Sequence, residues 1–146
     1  MKKLNEKEMI KLLIAKESNV SDWEKFVSEN DSTAIDRDGR TFLMSAILKN
    51  NIELSKFLIK KGYEINAQDN QGMTPLHFVS IHGFYELAII LVDNGAELEI
   101  KDNWGNTPLW RAAMNNSTKI IELLLKHGAN INQKNNSGVS PKDLMQ

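Results

Sequence analysis

Cysteine is absent from this 146-residue sequence. Its absence excludes disulfide bonds and thiolate metal sites, and it fits a reducing compartment. An excess of one charge sign is also missing, because 18 lysines and arginines face 19 aspartates and glutamates, for a net charge of −1. This balance gives no broad electrostatic case for nucleic acid or an acidic membrane as a partner.

Long apolar segments are missing as well. No run approaches the ~20 apolar residues of a membrane span, and Glu6, Glu8 and Lys11 interrupt anything that resembles the apolar core of a signal peptide. With 41% hydrophobic and 25% charged residues, the composition is that of a soluble folded protein. We therefore expect a cytoplasmic protein with no membrane partner.

A loop-to-helix junction is the strongest pattern that the sequence does contain. In the segment Gly72–Pro75, glycine permits a tight turn, Thr74 can cap a helix, and Pro75 suits the first helical position. Related segments stand at steps of 33 residues: Gly39–Phe42, Gly105–Pro108 and Gly138–Pro141. A fixed period of this length predicts a solenoid of repeated supersecondary units.

The period divides the chain into stacked units of one all-α domain, 1–146. We predict a capping helix pair in 1–35, full repeats at 36–68, 69–101 and 102–134, and a truncated repeat at 135–146. The predicted helices of the full repeats cover 42–49 and 53–61, 75–82 and 85–94, and 108–115 and 119–127. Short β-prone segments follow each second helix, at 64–66, 97–99 and 130–132.

The capping pair carries its own signals. A first helix over 5–17 places Met9, Ile10, Leu13 and Ile14 on one face. A second helix begins at Ser21, with Glu24 completing a capping box. In the repeats, Gly62, Gly95 and Gly128 suit the left-handed position after a helix, and Asn50 and Asn116 tolerate the same backbone between helices.

These motifs resemble the ankyrin repeat over residues 36–146, on the segments Asp69–His77, Asp102–Leu109 and Leu91–Ala96. The resemblance implies helix–turn–helix layers whose β-hairpin-like loops project from a curved stack with a concave face. It also implies that His77 is a structural residue that ties its loop to the neighbouring repeat. The segment 107–112 looks like a variant found in small bacterial ankyrin proteins.

Signals for catalysis are absent from the sequence. It has no nucleophile elbow, phosphate-binding glycine loop or paired metal-binding histidines of the H-E-x-x-H type. His77 and His82 lie about 140° apart around a helix, so they do not converge on one metal. We predict a non-enzymatic protein with no catalytic residues, no cofactor and no metal.

Geometry and resemblance place partner binding on the loop tips and the exposed faces of the first helices. We call the following fourteen residues the tip strip: Arg37, Arg40, Lys49, Asn70, Gln71, Met73, Ile81, His82, Asn103, Trp104, Asn106, Arg111, Met114 and Asn115. Trp104 is the strongest candidate, because the fold does not require an apolar residue at a hairpin tip. The alternatives are that Trp104 folds back onto a neighbouring hairpin, that Trp110 packs inside, and that Met73, Ile81 and Met114 fill space between repeats.

The leading hypothesis for function is a module that binds one specific protein partner through its concave face and loop tips. Resemblance to small bacterial ankyrin proteins suggests an immunity protein, that is, an inhibitor that neutralises a cognate toxin. The alternative is an adaptor or assembly subunit that self-associates through its thinly covered end near Leu144 and Met145. A hydrolase or a nucleic-acid binder is less favoured, and we expect the free protein to be a monomer.

Overall fold

The structure, a computed structural model, describes residues 5–14 and 19–145. Nine α-helices form within these ranges: α1 (Glu6–Ile14), α2 (Val20–Glu29), α3 (Phe42–Leu48), α4 (Ile52–Lys60), α5 (Pro75–His82), α6 (Tyr85–Asp93), α7 (Pro108–Met114), α8 (Thr118–Lys126) and α9 (Pro141–Leu144). The inner helices α3, α5, α7 and α9 contact one another in that order, and the outer helices α4, α6 and α8 form a second layer. The helix pair α1 and α2 lies at the start of this stack, where α1 contacts α3.

Each inner helix begins at a hydroxyl side chain, as the sequence predicted. Thr74 Oγ1 accepts a hydrogen bond from the backbone N–H of His77, and Thr41, Thr107 and Ser140 cap their helices in the same way. Since a side-chain oxygen satisfies an otherwise unpaired amide, the chain enters the helix at a defined residue. The six predicted repeat helices are all present, and each end lies within one residue of its prediction.

An aspartate or asparagine closes each loop tip before an inner helix. Asp69 Oδ1 accepts the backbone N–H groups of Gln71 and Met73, both at 2.9 Å. The equivalent oxygens of Asp36, Asp102 and Asn135 make the same two bonds within their own tips. The tips are therefore rigid turns whose backbone groups are bonded internally.

Successive tips are joined by an asparagine ladder. Asn103 donates its side-chain amide to the Asn70 carbonyl and its backbone N–H to the Gln71 carbonyl, both at 3.0 Å. Asn70 and Asn136 make the equivalent pairs of bonds to the tips that precede them. The approach is so close that a Cβ on Gly72, whose φ is +74°, would lie 2.7 Å from Asn103 Oδ1. Glycine is required there for its backbone conformation and for its lack of a side chain.

The core changes character along the stack. At the junction between α2 and the first repeat it is aromatic, with ring centroids 4.5 Å apart for Phe26 and Phe42 and 5.5 Å apart for Trp23 and Phe57. Tyr63 is buried beside Phe42, and burial raises the pKa of its phenol to about 12. Towards the other end, buried leucine, isoleucine and alanine take over, including Leu109, Ala112, Ile120 and Leu124. The N-terminal pair is thus fixed to the repeats by large rings.

Two predictions for the N-terminal pair are wrong. The N-cap of α2 is Asn19, which forms a capping box with Asp22, and not Ser21 with Glu24. The first helix buries Met9, but Ile10 is exposed. The predicted end of that helix at residue 17 and the side chain of Ile14 lie outside the described residues.

The β-prone segments after the outer helices form turns and bends, so their prediction as extended structure is wrong. Side chains bridge neighbouring repeats there in place of strand pairing. Asn66 Oδ1 accepts the backbone N–H of Glu97 at 2.9 Å, and Glu99 Oε1 accepts that of Asn130 at 2.7 Å. In contrast, the left-handed backbone predicted between helices is confirmed, with φ of +50° at Asn50.

Candidate functional site

Most residues of the tip strip have accessible side chains. Nine are exposed: Arg37, Lys49, Asn70, Gln71, His82, Asn103, Trp104, Met114 and Asn115. Three are partly buried: Arg40, Ile81 and Arg111. Because these residues occupy successive tips and inner helices, they form a surface that runs along the stack.

Two members of the tip strip do not present their side chains to solvent. Met73 is 8% exposed and packs in the hydrophobic core, and Asn106 is 3% exposed. Asn106 links three segments, because its carbonyl accepts His77 Nε2 at 3.0 Å and its Oδ1 accepts the Asn135 amide at 2.8 Å. Their assignment as exposed contact residues is therefore corrected, and both support the surface from beneath.

His77 holds one loop to the next, as its resemblance to the family's structural histidine implied. Its Nδ1 accepts the backbone N–H of Thr74 at 3.1 Å, so the proton of the neutral ring lies on Nε2, which faces the Asn106 carbonyl. The side chain is fully buried, and this desolvation lowers its pKa below the ordinary value of 6.5. The ring is therefore an uncharged structural bridge.

Arg111 is the centre of a charged and aromatic cluster at the third tip. Its Nε and Nη2 donate to Asp102 Oδ2, at 2.8 and 2.5 Å, and the Asp102 side chain is completely buried. The guanidinium carbon lies 5.4 Å from the ring centroid of Trp104 and 5.7 Å from that of Trp110. Both distances are within cation–π range. We call Asp102, Trp104, Trp110 and Arg111 the Arg111 cluster.

Trp104 is 50% exposed and its ring lies against Arg111, so the side chain is not buried against a neighbouring hairpin. Trp110 is partly buried, in agreement with the packed alternative, and its indole Nε1 is a buried donor without an acceptor among the described residues. The two rings therefore differ in role. Trp104 presents a free apolar surface, whereas Trp110 supports Arg111 from within.

A groove of about 460 Å³ opens beside the Arg111 cluster, between the second, third and fourth tips. We call it the C-terminal groove, and its walls are Gln71, Met73, Trp104, Asn106, Trp110, Arg111, Asn135, Ser137 and Val139. Arg111 is the single ionisable residue in this set. The groove therefore combines two indoles, several amides and one guanidinium.

Arg40 has a related but different arrangement at the first tip. Its guanidinium lies 5.6 Å from the ring centroid of Phe78, with Asp38 at 3.4 Å and Asp69 at 3.7 Å. The adjoining space measures about 180 Å³ and has both aspartates in its walls. This second site therefore carries more negative than positive groups.

The pairing of Arg111 with Asp102 was missed from the sequence, as was the contribution of Ser137 and Val139 to the groove. A signal was present, because the position of Arg111 is occupied by Phe78 one period earlier. A partly buried arginine on an inner helix is stabilised by a nearby anion. The 33-residue spacing places Asp102 in the tip just before that helix, within reach of Arg111.

Within residues 5–14 and 19–145, no group of three or more histidine, aspartate or glutamate side chains is placed to hold a metal ion. In that same part of the chain, no helix is both long and apolar enough to cross a membrane.

The 33-residue helix pairs, the projecting tips and the ladder between them define a helical repeat solenoid. The family described as ankyrin repeats (3 copies) matches residues 2–69 and 56–135. The chain therefore belongs to the ankyrin-repeat family. Members of this family are in general protein–protein interaction modules. A search of curated proteins found no match.

Proposed function

We propose that this protein binds one specific protein partner through the tip strip, without catalysing a reaction. The observation that carries the proposal is Trp104, a half-exposed indole held against Arg111 on a tip that does not need it for folding. Tryptophan and arginine are the residue types most enriched among energetically dominant interface positions. A protein partner would cover the ring and the C-terminal groove beside it.

The expected gain from covering Trp104 is large for one side chain. A tryptophan buries ~150–250 Å², and half of this side chain is still exposed. At ~25 cal/mol/Å², covering the remainder contributes about 2–3 kcal/mol before the costs of association. Covering Met114, which is 57% exposed on α7, would add to this.

Rigidity favours tight binding by this surface. The third tip is fixed by the Asp102 bonds within it and by the Asn103 and Asn136 bonds to its neighbours. Because its backbone is already ordered, little conformational entropy is lost when a partner binds. The partner therefore meets a preformed site.

The test compares Trp104→Ala with Tyr85→Ala in capture from native lysate, followed by measurement of the dissociation constant for the captured protein. Tyr85 is a matched control, because it is 39% exposed on outer helix α6 and also lies under a cation, with Lys119 Nζ at 5.7 Å. We expect Trp104→Ala to weaken binding more than about tenfold, the equivalent of 1.4 kcal/mol, and Tyr85→Ala to leave it unchanged. Equal affinity of the two variants would show that the tip strip is not the binding surface.

Arg111 is unsuitable for the same experiment when it is changed alone. Its guanidinium neutralises the buried carboxylate of Asp102, so Arg111→Ala would leave an unpaired buried charge and lower stability. A loss of binding in that variant would not separate recognition from folding. The indole of Trp104 makes no hydrogen bond within the described residues, and the backbone N–H that bonds to Asp102 is retained in Trp104→Ala, so this variant avoids the difficulty.

Within this function, inhibition of a toxin is the version that we would test first, because a preformed surface suits tight blocking of an active site. Co-expression with the product of an adjacent gene should rescue growth if that product is the cognate toxin. Failure to rescue would discard this version and leave other protein partners. The adaptor alternative predicts self-association through Leu144 and Met145, both half-buried, and a monomer mass at all concentrations by light scattering would exclude it.

A further inference from the structure

We infer that the C-terminal groove accepts an acidic side chain, aspartate or glutamate, from the protein partner, beside an apolar residue that rests on Trp104. This inference rests on the proposed function, because it names the chemistry that the same surface recognises. Three observations support it: the free hydrogen-bond donors of Arg111, the charges in the walls of the groove, and the difference between the groove and the Arg40 site.

The first observation is a set of unused donors. Asp102 occupies Nε and Nη2 of Arg111, and Nη1 has no hydrogen-bond partner among the described residues. About 20% of the Arg111 side chain remains exposed in the groove wall. Nη1 carries two N–H donors. A carboxylate, which only accepts hydrogen bonds, is the group that best matches such donors.

The second observation is that no carboxylate in the walls of the groove competes for these donors. Asp102 already receives two backbone N–H bonds on Oδ1 and two guanidinium bonds on Oδ2. Asn135 is similarly engaged, since its Oδ1 accepts two backbone N–H groups and its amide donates to Asn106. None of the wall residues is an acid. The free edge of Arg111 therefore faces the groove without a negative neighbour.

Asp102 also fixes the direction in which Arg111 can bind. The buried carboxylate lies on one edge of the planar guanidinium, so the opposite edge is held in place before a partner arrives. A guanidinium restrained in this way binds a second carboxylate with little further loss of side-chain freedom. Contacts of Arg111 with the rings of Trp104 and Trp110 restrain it further.

The Arg40 site, in contrast, is unfavourable for an acidic side chain of a partner. There, Asp38 and Asp69 both lie within 4 Å of one guanidinium, and Asp38 is exposed. A partner carboxylate would be repelled by Asp38, so this site does not favour an acid. The two arginines belong to the same surface, but only Arg111 has an accessible edge free of acidic neighbours.

The test uses a library of random short peptides displayed on phage, selected on the wild-type protein. Selected peptides are then synthesised, and their affinities are compared with those of versions in which each acid is replaced by its amide. The protein variant is the double substitution Asp102→Asn and Arg111→Leu, which removes both charges together. It reproduces the fourth repeat of this chain, where Asn135 and Leu144 stand at the same positions, so no buried charge is left unpaired.

Lys126→Gln is the control for charge, because it removes an exposed cation from outer helix α8, outside the tip strip and the groove. Thermal unfolding verifies that every variant is folded. We expect peptides rich in aspartate or glutamate, bound about tenfold more weakly after the acid-to-amide change or by the double variant. Binding by Lys126→Gln should be unchanged.

Other results separate this inference from the proposed function. Peptides that need Trp104 but are neutral or basic would overturn the acidic preference and leave the binding surface in place. Peptides that bind the Trp104→Ala variant as well as the wild type would overturn both. A selection with no enrichment over the double variant would overturn the inference, because the groove would then offer no recognition of its own.

Discussion

At the scale of single residues, His77 shows how burial and hydrogen bonding fix a charge state. Protonation of Nδ1 would remove the acceptor of the Thr74 N–H and place a cation where water is excluded. Desolvation is the main cause of its lowered pKa, opposed by the bond to the Asn106 carbonyl and by the charge of Asp102. The folded protein therefore binds this proton more weakly than the unfolded chain does.

The sign of the pH dependence follows from this difference. Below the unperturbed pKa of 6.5, His77 is protonated in the unfolded chain but remains neutral in the folded protein, whose His77 pKa is lower. The free energy of unfolding therefore falls as pH falls through 6.5, by up to about 1.4 kcal/mol per pH unit from this residue. The contribution is fully present above that pH.

We predict that His77→Gln lowers stability by about 2 kcal/mol at neutral pH, because one amide cannot replace both buried bonds. It should also flatten the loss of stability between neutral pH and pH values below 6.5. Urea unfolding at two pH values measures both effects, with exposed His82→Gln as the control. The same pH dependence in wild type and His77→Gln would contradict the assignment.

How much of the site could be predicted differs from residue to residue. The role of His77 was implied by its resemblance to the structural histidine of the family. The burial of Asn106 did not, because it depends on Asn135, which is 29 residues away. Exposure at a tip is decided by the neighbouring repeat, and a single repeat read along the sequence does not contain that neighbour.

At the scale of the structural elements, two kinds of glycine occur, and they differ in what surrounds them. Gly72 and Gly95 both have a left-handed backbone, with φ of +74° and +87°. A Cβ on Gly72 would lie 3.0 Å from the Asn103 backbone nitrogen and 3.1 Å from the Asp102 Cα, whereas one on Gly95 would meet nothing within 4 Å.

We predict that Gly95→Ala costs about 1 kcal/mol, the strain of the backbone alone. Gly72→Ala should cost about 3 kcal/mol or more, because the next tip must also move away and weaken the asparagine ladder. Equilibrium urea unfolding of the two variants separates the cost of backbone strain from the cost of moving the next tip. Equal costs would mean that the tips are not held as closely as described.

The start of α2 gives a second prediction at this scale. Asn19-x-x-Asp22 has the same spacing as Ser21-x-x-Glu24, which is the capping box predicted from the sequence. In the fold, Asn19 accepts the backbone N–H of Asp22 at 3.1 Å, and Asp22 accepts that of Asn19 at 3.2 Å. The earlier box is used, and Ser21 lies exposed within the first turn.

Asn19→Ala should therefore lower the free energy of unfolding by about 1 kcal/mol. Ser21→Ala should change it by less than about 0.5 kcal/mol, as expected of an exposed surface position. Thermal or urea unfolding measures both. A larger effect at Ser21 than at Asn19 would instead support the capping box of Ser21 and Glu24 that was predicted from the sequence.

At the scale of the whole molecule, each layer contacts mainly the layers on either side of it. In such an array, a defect at one end lowers stability locally, since distant repeats share no contacts with it. The order of the layers was predictable from the 33-residue period. The chemistry of the C-terminal groove was not, because its walls come from three tips and from helix α7.

Phe26→Ala tests this local character. Phe26 is fully buried against Phe42, and its truncation should cost about 3–5 kcal/mol. Hydrogen exchange read by mass spectrometry should show faster exchange in α1, α2 and α3, with α7 and α8 unchanged. Uniformly faster exchange along the chain would instead indicate that the stack unfolds as one cooperative unit.

The asparagine ladder has a consequence for how such a protein changes over evolutionary time. At Asp38, Gln71 and Trp104, the ladder uses the backbone carbonyl and leaves the side chain out. Side chains at these positions can therefore be substituted, in evolution or in a laboratory library, without loss of the hydrogen bonds of the ladder. If Trp104 makes the contact that we propose, a lineage that exchanges it for another residue would recognise a different partner and keep the same architecture.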